Sequence, residues 1–281
     1  APDARPSAAR GPPPGRAGLS SAVHLVACLC DDEVAHAVRS FRDAAGRFHL
    51  HPVPPGPLAE LMIGLKRLDF AGAMVLDEKR QAEAQRLADR SSLDAQELGA
   101  ADTLTVTQAG VLADHCLGRA LAAMLASHRW DGAGARVAVL GSGATARSLA
   151  REALSMGASS LAVLAKDRVA AESVLPPSAA GVTLLARASA DPIRRTVLEQ
   201  ADLVIRVDPE ESVPAELLGP HLTLVDMVPE VLSPLRRQAM ASGSLTFNRR
   251  DVEAYRLELG LSQVLGGPVG IEPLMTLFHA I

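Results

Sequence analysis

Short apolar runs alternate with segments of helical periodicity along the first half of the chain. The run His24–Cys30 is typical of a strand, and Asp31 or Asp32 can cap a helix after it. Phe48–Val53 and the short run Ala73–Leu76 predict further strands, with leucines at helical spacing between them. Strand–helix alternation of this kind predicts an α/β layer with largely parallel strands.

A second unit of strands and helices follows the helix that is predicted at Leu117–Ser127. The buried strand Arg136–Leu140 runs into the glycine-containing segment Gly141–Ala146, which opens another helix. Together with the strands that follow, this pattern predicts a doubly wound sheet. The later strands are predicted at Leu161–Leu164, Val182–Leu185, Leu203–Val207 and Leu222–Val225.

The segment between strand and helix fits the pattern G-x-G-x-x-G/A, with Gly141, Gly143 and Ala146 at its small positions. Glycine at such a turn lets backbone N–H groups and the positive end of the helix dipole approach a phosphate. We therefore expect a dinucleotide to bind here, and a purely structural tight turn is the alternative. The candidate cofactor-binding residues of the loop are Gly141, Ser142, Gly143, Ala144, Thr145 and Ala146.

The end of the second strand in this unit bears on the choice of dinucleotide. A basic residue there accepts the 2′-phosphate of NADP, whereas an acidic residue binds the ribose hydroxyl of NAD. Lys166 and Arg168 favour NADP, and Asp167 leaves NAD open. A solvated charged turn is the alternative for each of the three.

Composition excludes several classes of function. The chain has 281 residues, enough for two domains, and only 2% are aromatic, so base-stacking surfaces are nearly ruled out. A net charge of −4 offers no field that attracts a polyanion, so we expect no nucleic-acid partner. No apolar run is long enough to span a bilayer, and we expect no membrane partner.

Residues 1–21, rich in Pro and Arg, predict a disordered tail and not a secretory signal.

Three cysteines are too few for a disulfide framework, and a reducing, cytoplasmic location fits them best. Cys28 and Cys30 flank a single residue of a predicted strand. We expect them on opposite faces, as core residues and not as shared metal ligands, so no metal site is predicted.

Five segments, in their order and spacing, resemble the shikimate dehydrogenase family from about Val34 onward. GSGATARSLA looks like the nucleotide loop of that family, and LGAADTL (Leu98–Leu104) is similar to its I-G-A-V-N-T-V motif. The resemblance is that of a divergent member. The remaining three segments are Ala59–Val75, Ala201–Pro209 and Thr223–Gly243.

The resemblance implies an N-terminal α/β substrate-binding domain (22–113), a doubly wound Rossmann domain that binds NADP (114–247), and C-terminal helices that return to the first domain (248–281). The family reduces 3-dehydroshikimate to shikimate with NADPH, a step in aromatic amino acid synthesis. Such a reaction needs a hydride and a positioned acid. The small-molecule partner expected here is therefore shikimate, 3-dehydroshikimate or a related hydroxy or keto compound.

The resemblance also implies site residues, with departures from the family. Lys79 matches the family's catalytic Lys, although the segment is one residue short, and an exposed Lys at a helix start is the alternative. Asp102 replaces an Asn of the family. Leu117 stands in the place of the catalytic Asp, and leucine cannot exchange a proton. Asp102 or Asp114 is the candidate substitute.

The anchor of the substrate carboxylate is also altered. Asp31 or Asp32 stands near the place of the family's paired serines, and a carboxylate facing a carboxylate weakens binding. An enzyme with these residues would act on a neutral or cationic hydroxy compound. The alternative hypothesis is a catalytically inactive relative that serves as a nucleotide-binding, regulatory or interaction protein. Leu117 favours that alternative, and the sequence does not predict the oligomeric state.

Overall fold

Two six-stranded sheets, each flanked by helices, form the framework of the molecule. The computed structural model describes residues 23–230 and 232–279, so the predicted disordered tail (1–21) lies outside the described residues. The α/β fold class with a doubly wound second sheet, predicted from the alternation of strands and helices, is confirmed.

The first sheet is mixed, because β5 alone runs opposite to the other five strands. Its strands lie in the order β2-β1-β3-β5-β6-β4, with β5 antiparallel to both β3 and β6. The expectation of largely parallel strands agrees with this sheet, but it did not include the β5–β6 hairpin, in which Thr107 pairs with Gly110 (φ +113°) across a two-residue turn. The strands are β1 (His24–Leu29), β2 (Phe48–Pro52), β3 (Phe70–Val75), β4 (Arg90–Ser91), β5 (Thr103–Thr107) and β6 (Gly110–Asp114).

Four helices accompany the first sheet, and three of them start at a side-chain cap. The Asp31 carboxylate accepts the Val34 N–H at 2.8 Å, which fixes the start of α1. Asp77 caps α3 and Ser92 caps α4 in the same way, because each satisfies an N–H that the helix itself leaves unpaired. The helices are α1 (Asp32–Ser40), α2 (Leu58–Arg67), α3 (Glu78–Leu87) and α4 (Leu93–Leu98).

The second sheet is parallel throughout, in the order β12-β11-β10-β7-β8-β9. The chain winds outward from β7 in one direction and from β10 in the other, so a crevice opens at their carboxyl ends. The strands are β7 (Arg136–Leu140), β8 (Ser160–Ala165), β9 (Thr183–Ala188), β10 (Leu203–Arg206), β11 (Thr223–Asp226) and β12 (Leu245–Asn248). The helices are α5 (Leu117–Ser127), α6 (Gly143–Ser155), α7 (Arg168–Glu172), α8 (Ile193–Gln200) and α9 (Pro234–Ala241).

The last two helices, α10 (Arg249–Leu265) and α11 (Glu272–His279), pack against the first sheet. Leu257 and Leu261 of α10 share a core with Val26 and Met74 of that sheet. At Gly260 the helix comes so close that a Cβ would lie 2.3 Å from the Met74 Cε atom. A larger residue there would have to displace the Met74 or Thr103 side chain, so glycine favours the close approach of α10 to β3 and β5. The boundaries at 22–113, 114–247 and 248–281 stay predictions.

The two cysteines of the first strand region do not lie as expected. Residues two apart on a strand share a face, so the prediction that Cys28 and Cys30 face opposite sides was wrong. Both pack into one core, Cys28 fully buried and Cys30 half-buried, with the Cys30 thiol 3.9 Å from the Cys28 carbonyl oxygen. Among the described residues no three His, Cys, Asp or Glu side chains come together as a metal site would require.

None of the helices in the described ranges combines the length and the apolar character that a membrane crossing needs. The longest, α10, has 17 residues and carries buried charges.

Candidate active site

The glycine loop lies at the carboxyl end of β7, beside the crevice of the second sheet. Gly141 has φ +125°, and its N–H donates to the Leu164 carbonyl oxygen at 2.8 Å. A Cβ on Gly141 would lie 2.9 Å from the Asp208 backbone nitrogen, at the turn that follows β10. This position therefore has to be glycine, because the two adjacent strand ends meet there.

Gly143 is the first residue of α6 and presents an open surface. It has φ +95°, and a Cβ placed on it would meet no atom within 4 Å. The Ser142 side chain makes no capping bond to the helix. The first N–H groups of α6 are thus free to bind an anion, and the helix dipole reinforces that preference. Ala146, by contrast, is buried against the sheet and only serves close packing.

The charged turn after β8 lies at the same edge of the sheet. Asp167 caps α7 through the Ala170 N–H at 2.8 Å, so its carboxylate is already engaged. Arg168 forms an exposed ion pair with Glu172 at 2.6 Å. Lys166 is exposed, and in the described parts of the chain no side chain pairs with its amino group. Of the two cations in this turn, Lys166 is the more available to a ligand.

A pocket of about 460 Å³, called here the cleft pocket, opens between the carboxyl ends of the two sheets. The first sheet contributes the residues that follow β1 and β3, and the second contributes the turn after β11 and the start of α10. Lys79 lies in its wall, exposed on the first turn of α3. The lining also includes Cys30, Asp31, Glu33, Asp77, Glu78, Pro229, Arg249, Arg250 and Glu253.

Asp102 lies beneath this cleft and is fully buried. Its carboxylate accepts the N–H groups of Cys116 at 2.8 Å and of Leu117 at 3.0 Å, and the Thr103 hydroxyl at 2.9 Å. It therefore caps the start of α5 from a neighbouring strand. Leu117, in the place of the family's Asp, is also buried, so the structure brings no carboxylate to the cleft from that position.

Asp114, the other candidate substitute, is engaged elsewhere. Its carboxylate accepts the Ser92 hydroxyl at 2.5 Å and pairs with Arg119 at 2.5 Å. Burial acts to raise the pKa of Asp114, but these partners outweigh it and the pKa is lowered. Asp114 therefore has a structural role, because its carboxylate connects Ser92 at the start of α4 with Arg119 of α5.

His115 is buried in the interior beside α6. Its Nδ1 lies 3.4 Å from the Ser148 hydroxyl and 3.9 Å from the Asp102 carboxylate. Burial lowers the pKa of His115 despite the nearby Asp102. The ring also lines a separate polar cavity of about 290 Å³ between α4, α5 and α6, away from Lys79.

Two charged residues of α10 were missed by sequence reasoning. Arg256 is completely buried and Glu253 is 5% exposed, and Arg256 Nη2 lies 2.6 Å from Glu253 Oε2. A signal was present, because Glu253 and Arg256 occupy the same helical stripe as Leu257, Gly260 and Leu261. A charged pair on an apolar stripe marks a buried ion pair.

Arg206 is the last residue of β10, and its side chain contacts the turn that follows this strand and the end of β11. Its guanidinium is buried, donates to the Pro209 carbonyl oxygen at 2.6 Å and pairs with Asp226 at 3.3 Å. The Ser233 hydroxyl donates to the same Asp226 carboxylate. This cluster holds the turn after β10, and with it Asp208, against Gly141.

Comparisons with known proteins agree with this architecture. No protein-family model matches the chain. A shikimate dehydrogenase (NADP(+)) of Paracoccus denitrificans is 28% identical over 209 residues, which cover 71% of this chain and 73% of that protein. The predicted resemblance to the shikimate dehydrogenases is thus confirmed, at the distance of a divergent relative.

Solved structures show the same fold at lower identity. The ligand-free 5-ketofructose reductase of Gluconobacter sp. strain CHM43 superposes with a TM-score of 0.78 at 19% identity, covering 92% of this chain and 99% of that one. The shikimate 5-dehydrogenase of Thermus thermophilus, in complex with NADP(H) and shikimate, gives 0.73 at 17% identity, covering 92% and 99%.

We expect Asp102→Ala to lower the free energy of unfolding by about 2–4 kcal/mol, because it leaves two buried N–H groups at the start of α5 without an acceptor. Asp77→Ala is the matched control, since Asp77 also caps a helix but lies in the cleft wall. It should cost only about 1 kcal/mol. Urea unfolding of both variants measures the difference, and equal losses would contradict the buried capping role.

Proposed function

We propose that the chain is an NADP-dependent oxidoreductase that transfers hydride between NADP(H) and a small hydroxy or keto compound. One observation carries the proposal. The open start of α6 at Gly143 and the cleft pocket with Lys79 lie at the facing carboxyl ends of the two sheets. When bound, the nicotinamide would supply or accept the hydride at the substrate's carbonyl carbon.

The residues of the loop fit a pyrophosphate. Gly143 leaves free space where a larger residue would place a side chain, and the uncapped N–H groups of α6 supply donors. Lys166 offers a positive charge to a 2′-phosphate, and Arg168 stands next to it. Asp167 is committed to the cap of α7, which supports NADP over NAD.

Lys79 is the proposed proton donor. Its amino group belongs to an exposed side chain in the cleft wall, and no described residue pairs with it. During reduction the carbonyl carbon receives the hydride, and the electron pair of the C=O bond moves to the oxygen. The Lys79 ammonium then gives its proton to that oxygen. Asp102 contributes indirectly, by holding the start of α5 beneath the pocket.

The charges of the pocket favour a substrate without a carboxylate. Arg249 pairs with Glu78 at 3.1 Å and Arg250 with Glu33 at 3.2 Å, so both cations are already neutralised. Asp31 lies in the same wall and would repel an anionic substrate. The similarity to a 5-ketofructose reductase supports a neutral polyhydroxy compound, with shikimate as the alternative.

A second candidate function is a nucleotide-binding protein without catalytic activity. Leu117 favours it, because the carboxylate that partners the catalytic Lys in the family has no equivalent there. The two candidates differ in turnover and agree in NADP binding.

A cytoplasmic location belongs to either proposal and is supported by the free thiols of Cys28, Cys30 and Cys116.

Gly143→Ala should weaken NADP binding by about tenfold or more, because the added methyl group occupies the space in front of the α6 N–H groups. Gly181→Ala is the matched control, since Gly181 also has a positive φ, +74°, and open space around it, but precedes β9 at the opposite edge. Titration followed by protein fluorescence measures both. Equal affinities for the two variants would remove the loop from cofactor binding.

Lys166→Ala should reduce NADP affinity by about tenfold while NAD affinity stays unchanged, because the 2′-phosphate, which NAD lacks, would lose a cationic partner. Arg168→Ala should have a smaller effect, since its guanidinium is shared with Glu172. Competition titrations with NADP and NAD test this order. An equal loss for both dinucleotides would contradict selection at Lys166.

Lys79→Ala should lower turnover about 100-fold or more with NADP affinity intact, because the developing alkoxide loses its acid. Lys66→Ala provides the control, since Lys66 pairs with Asp89 on the surface away from the pocket. The assay follows NADPH absorbance with neutral polyhydroxy ketones and 3-dehydroshikimate. Saturable NADP binding without turnover of any of these by the wild type would favour the inactive homologue.

A further inference from the structure

A second cavity, called here the annex, adjoins the cleft pocket. It has a volume of about 220 Å³ and lies at the carboxyl ends of β1, β2 and β3. Cys30 and Asp77 belong to the walls of both cavities, so the two spaces share a border. The backbone at this border is fixed, because the Asp77 N–H donates to the Leu29 carbonyl oxygen at 3.1 Å. The other residues of the annex wall are Leu29, Val53, Pro55, Gly56 and Arg80.

Two consecutive residues of α3 line the two cavities. Lys79 lies in the wall of the cleft pocket, and Arg80 lies in the wall of the annex. Their Cα atoms are about 3.8 Å apart, as in any trans peptide. A compound whose carbonyl oxygen lies at Lys79 can therefore extend across the shared border towards Arg80.

The annex contains a hydrogen-bond donor and an acceptor that are not paired with each other. Nη2 of the half-buried Arg80 donates to the Gly56 carbonyl oxygen, and its other N–H groups have no side-chain partner among the described residues. Asp77 Oδ1 accepts the Lys79 N–H at 3.1 Å, and no described residue donates to Oδ2. Guanidinium donors and a carboxylate oxygen thus remain available to a ligand.

The opposite wall of the annex is apolar and stiff. The segment Pro52–Pro57 contains four prolines, and each of them restricts the backbone to a narrow range of φ. The Val53 N–H donates to the Cys28 carbonyl oxygen at 2.9 Å, which ties this segment to β1. The cavity is therefore preformed, so a ligand would lose little affinity to the ordering of the loop.

We propose that the annex is a substrate subsite for a neutral polyhydroxy arm, with Arg80 donating to one hydroxyl group and Asp77 accepting from another. The inference rests on the proposed function and extends it to the substrate class. A hydroxyl group both donates and accepts, so neighbouring hydroxyls match this pair of side chains. An anionic arm would be attracted by Arg80 and repelled by Asp77, whereas a diol satisfies both.

The kinetic test compares two neutral ketones that differ in length. Dihydroxyacetone fits within the cleft pocket alone, and xylulose continues the same ketone with further hydroxyl-bearing carbons. The ratio of kcat/KM for xylulose to kcat/KM for dihydroxyacetone should fall about tenfold or more in Arg80→Met, because a hydroxyl group loses a charged partner. Arg86→Met is the matched control and should keep the ratio, since Arg86 is an exposed residue of the same helix that lines neither cavity.

Asp77→Asn tests the acceptor separately from the helix cap. Asparagine caps a helix about as well as aspartate, so α3 should keep its start. The variant replaces the carboxylate at the border of the annex by a neutral amide. The xylulose to dihydroxyacetone ratio should fall here as well, by about threefold to tenfold.

A binding test needs no turnover. Xylitol cannot be reduced by NADPH, so calorimetric titration of the protein with xylitol in the presence of NADPH measures binding alone. Glycerol is the short comparison compound. Xylitol should bind the wild type about tenfold or more tightly than glycerol, and Arg80→Met and Asp77→Asn should remove most of this difference.

The outcomes separate the subsite from the proposed function. Turnover with the same ketone ratio in the wild type, Arg80→Met and Asp77→Asn would overturn the subsite alone. A higher kcat/KM for xylulose 5-phosphate than for xylulose would overturn it too, because the arm would then be anionic. Xylitol binding that depends on Arg80 and Asp77, without turnover of any ketone, would support the subsite and overturn the proposed function. Should Arg80→Met not fold, Asp77→Asn decides, and an unchanged ratio in that variant would overturn the subsite.

Discussion

The packing of α10 against the first sheet depends on how three buried charged residues are compensated. Asp102, Glu253 and Arg256 are almost completely removed from solvent, and a single unpaired charge there would cost about 3–5 kcal/mol. Asp102 is satisfied by the first N–H groups of α5, whereas Glu253 and Arg256 are close to each other. Burial acts to lower the pKa of Arg256, but the negative charges of Glu253 and Asp102 outweigh it. The arrangement therefore ties the first sheet, α5 and the returning helix into one unit.

The cleft pocket lies next to these buried charges, because Glu253 lines it. The cleft pocket is lined by residues that follow strands of both sheets, Lys79 among them, and the open start of α6 lies at the carboxyl end of β7 in the second sheet. Within the cleft wall Arg249 and Arg250 are neutralised by acidic neighbours, and Lys79 keeps its amino group available. The chain thus combines the fold of the solved shikimate dehydrogenase structures with a cleft wall whose arginines are paired with acidic neighbours.

Much of this organisation was predictable from local pattern. The glycine loop was recognised because strand, small residues and helix follow one another directly, and the same reasoning located α5 and the parallel strands. The β5–β6 hairpin was missed, because its turn is short and its strands are few residues long. The placement of Cys28 and Cys30 on opposite faces was wrong for a simpler reason, since the two-residue period of a strand puts them on one face.

What the sequence by itself determined is the set of elements and the glycine turn between β7 and α6, because both follow from interactions between residues close along the chain. Only the tertiary structure decided what the acidic residues do. Asp102 and Asp114 looked alike as substitutes for Leu117, yet one caps α5 and the other pairs with Arg119. Glu253 lies 136 residues beyond Leu117 along the chain and yet lines the cleft pocket with Lys79. A carboxylate's role is set by its burial and its partners, and these come from helices and strands that are distant in sequence.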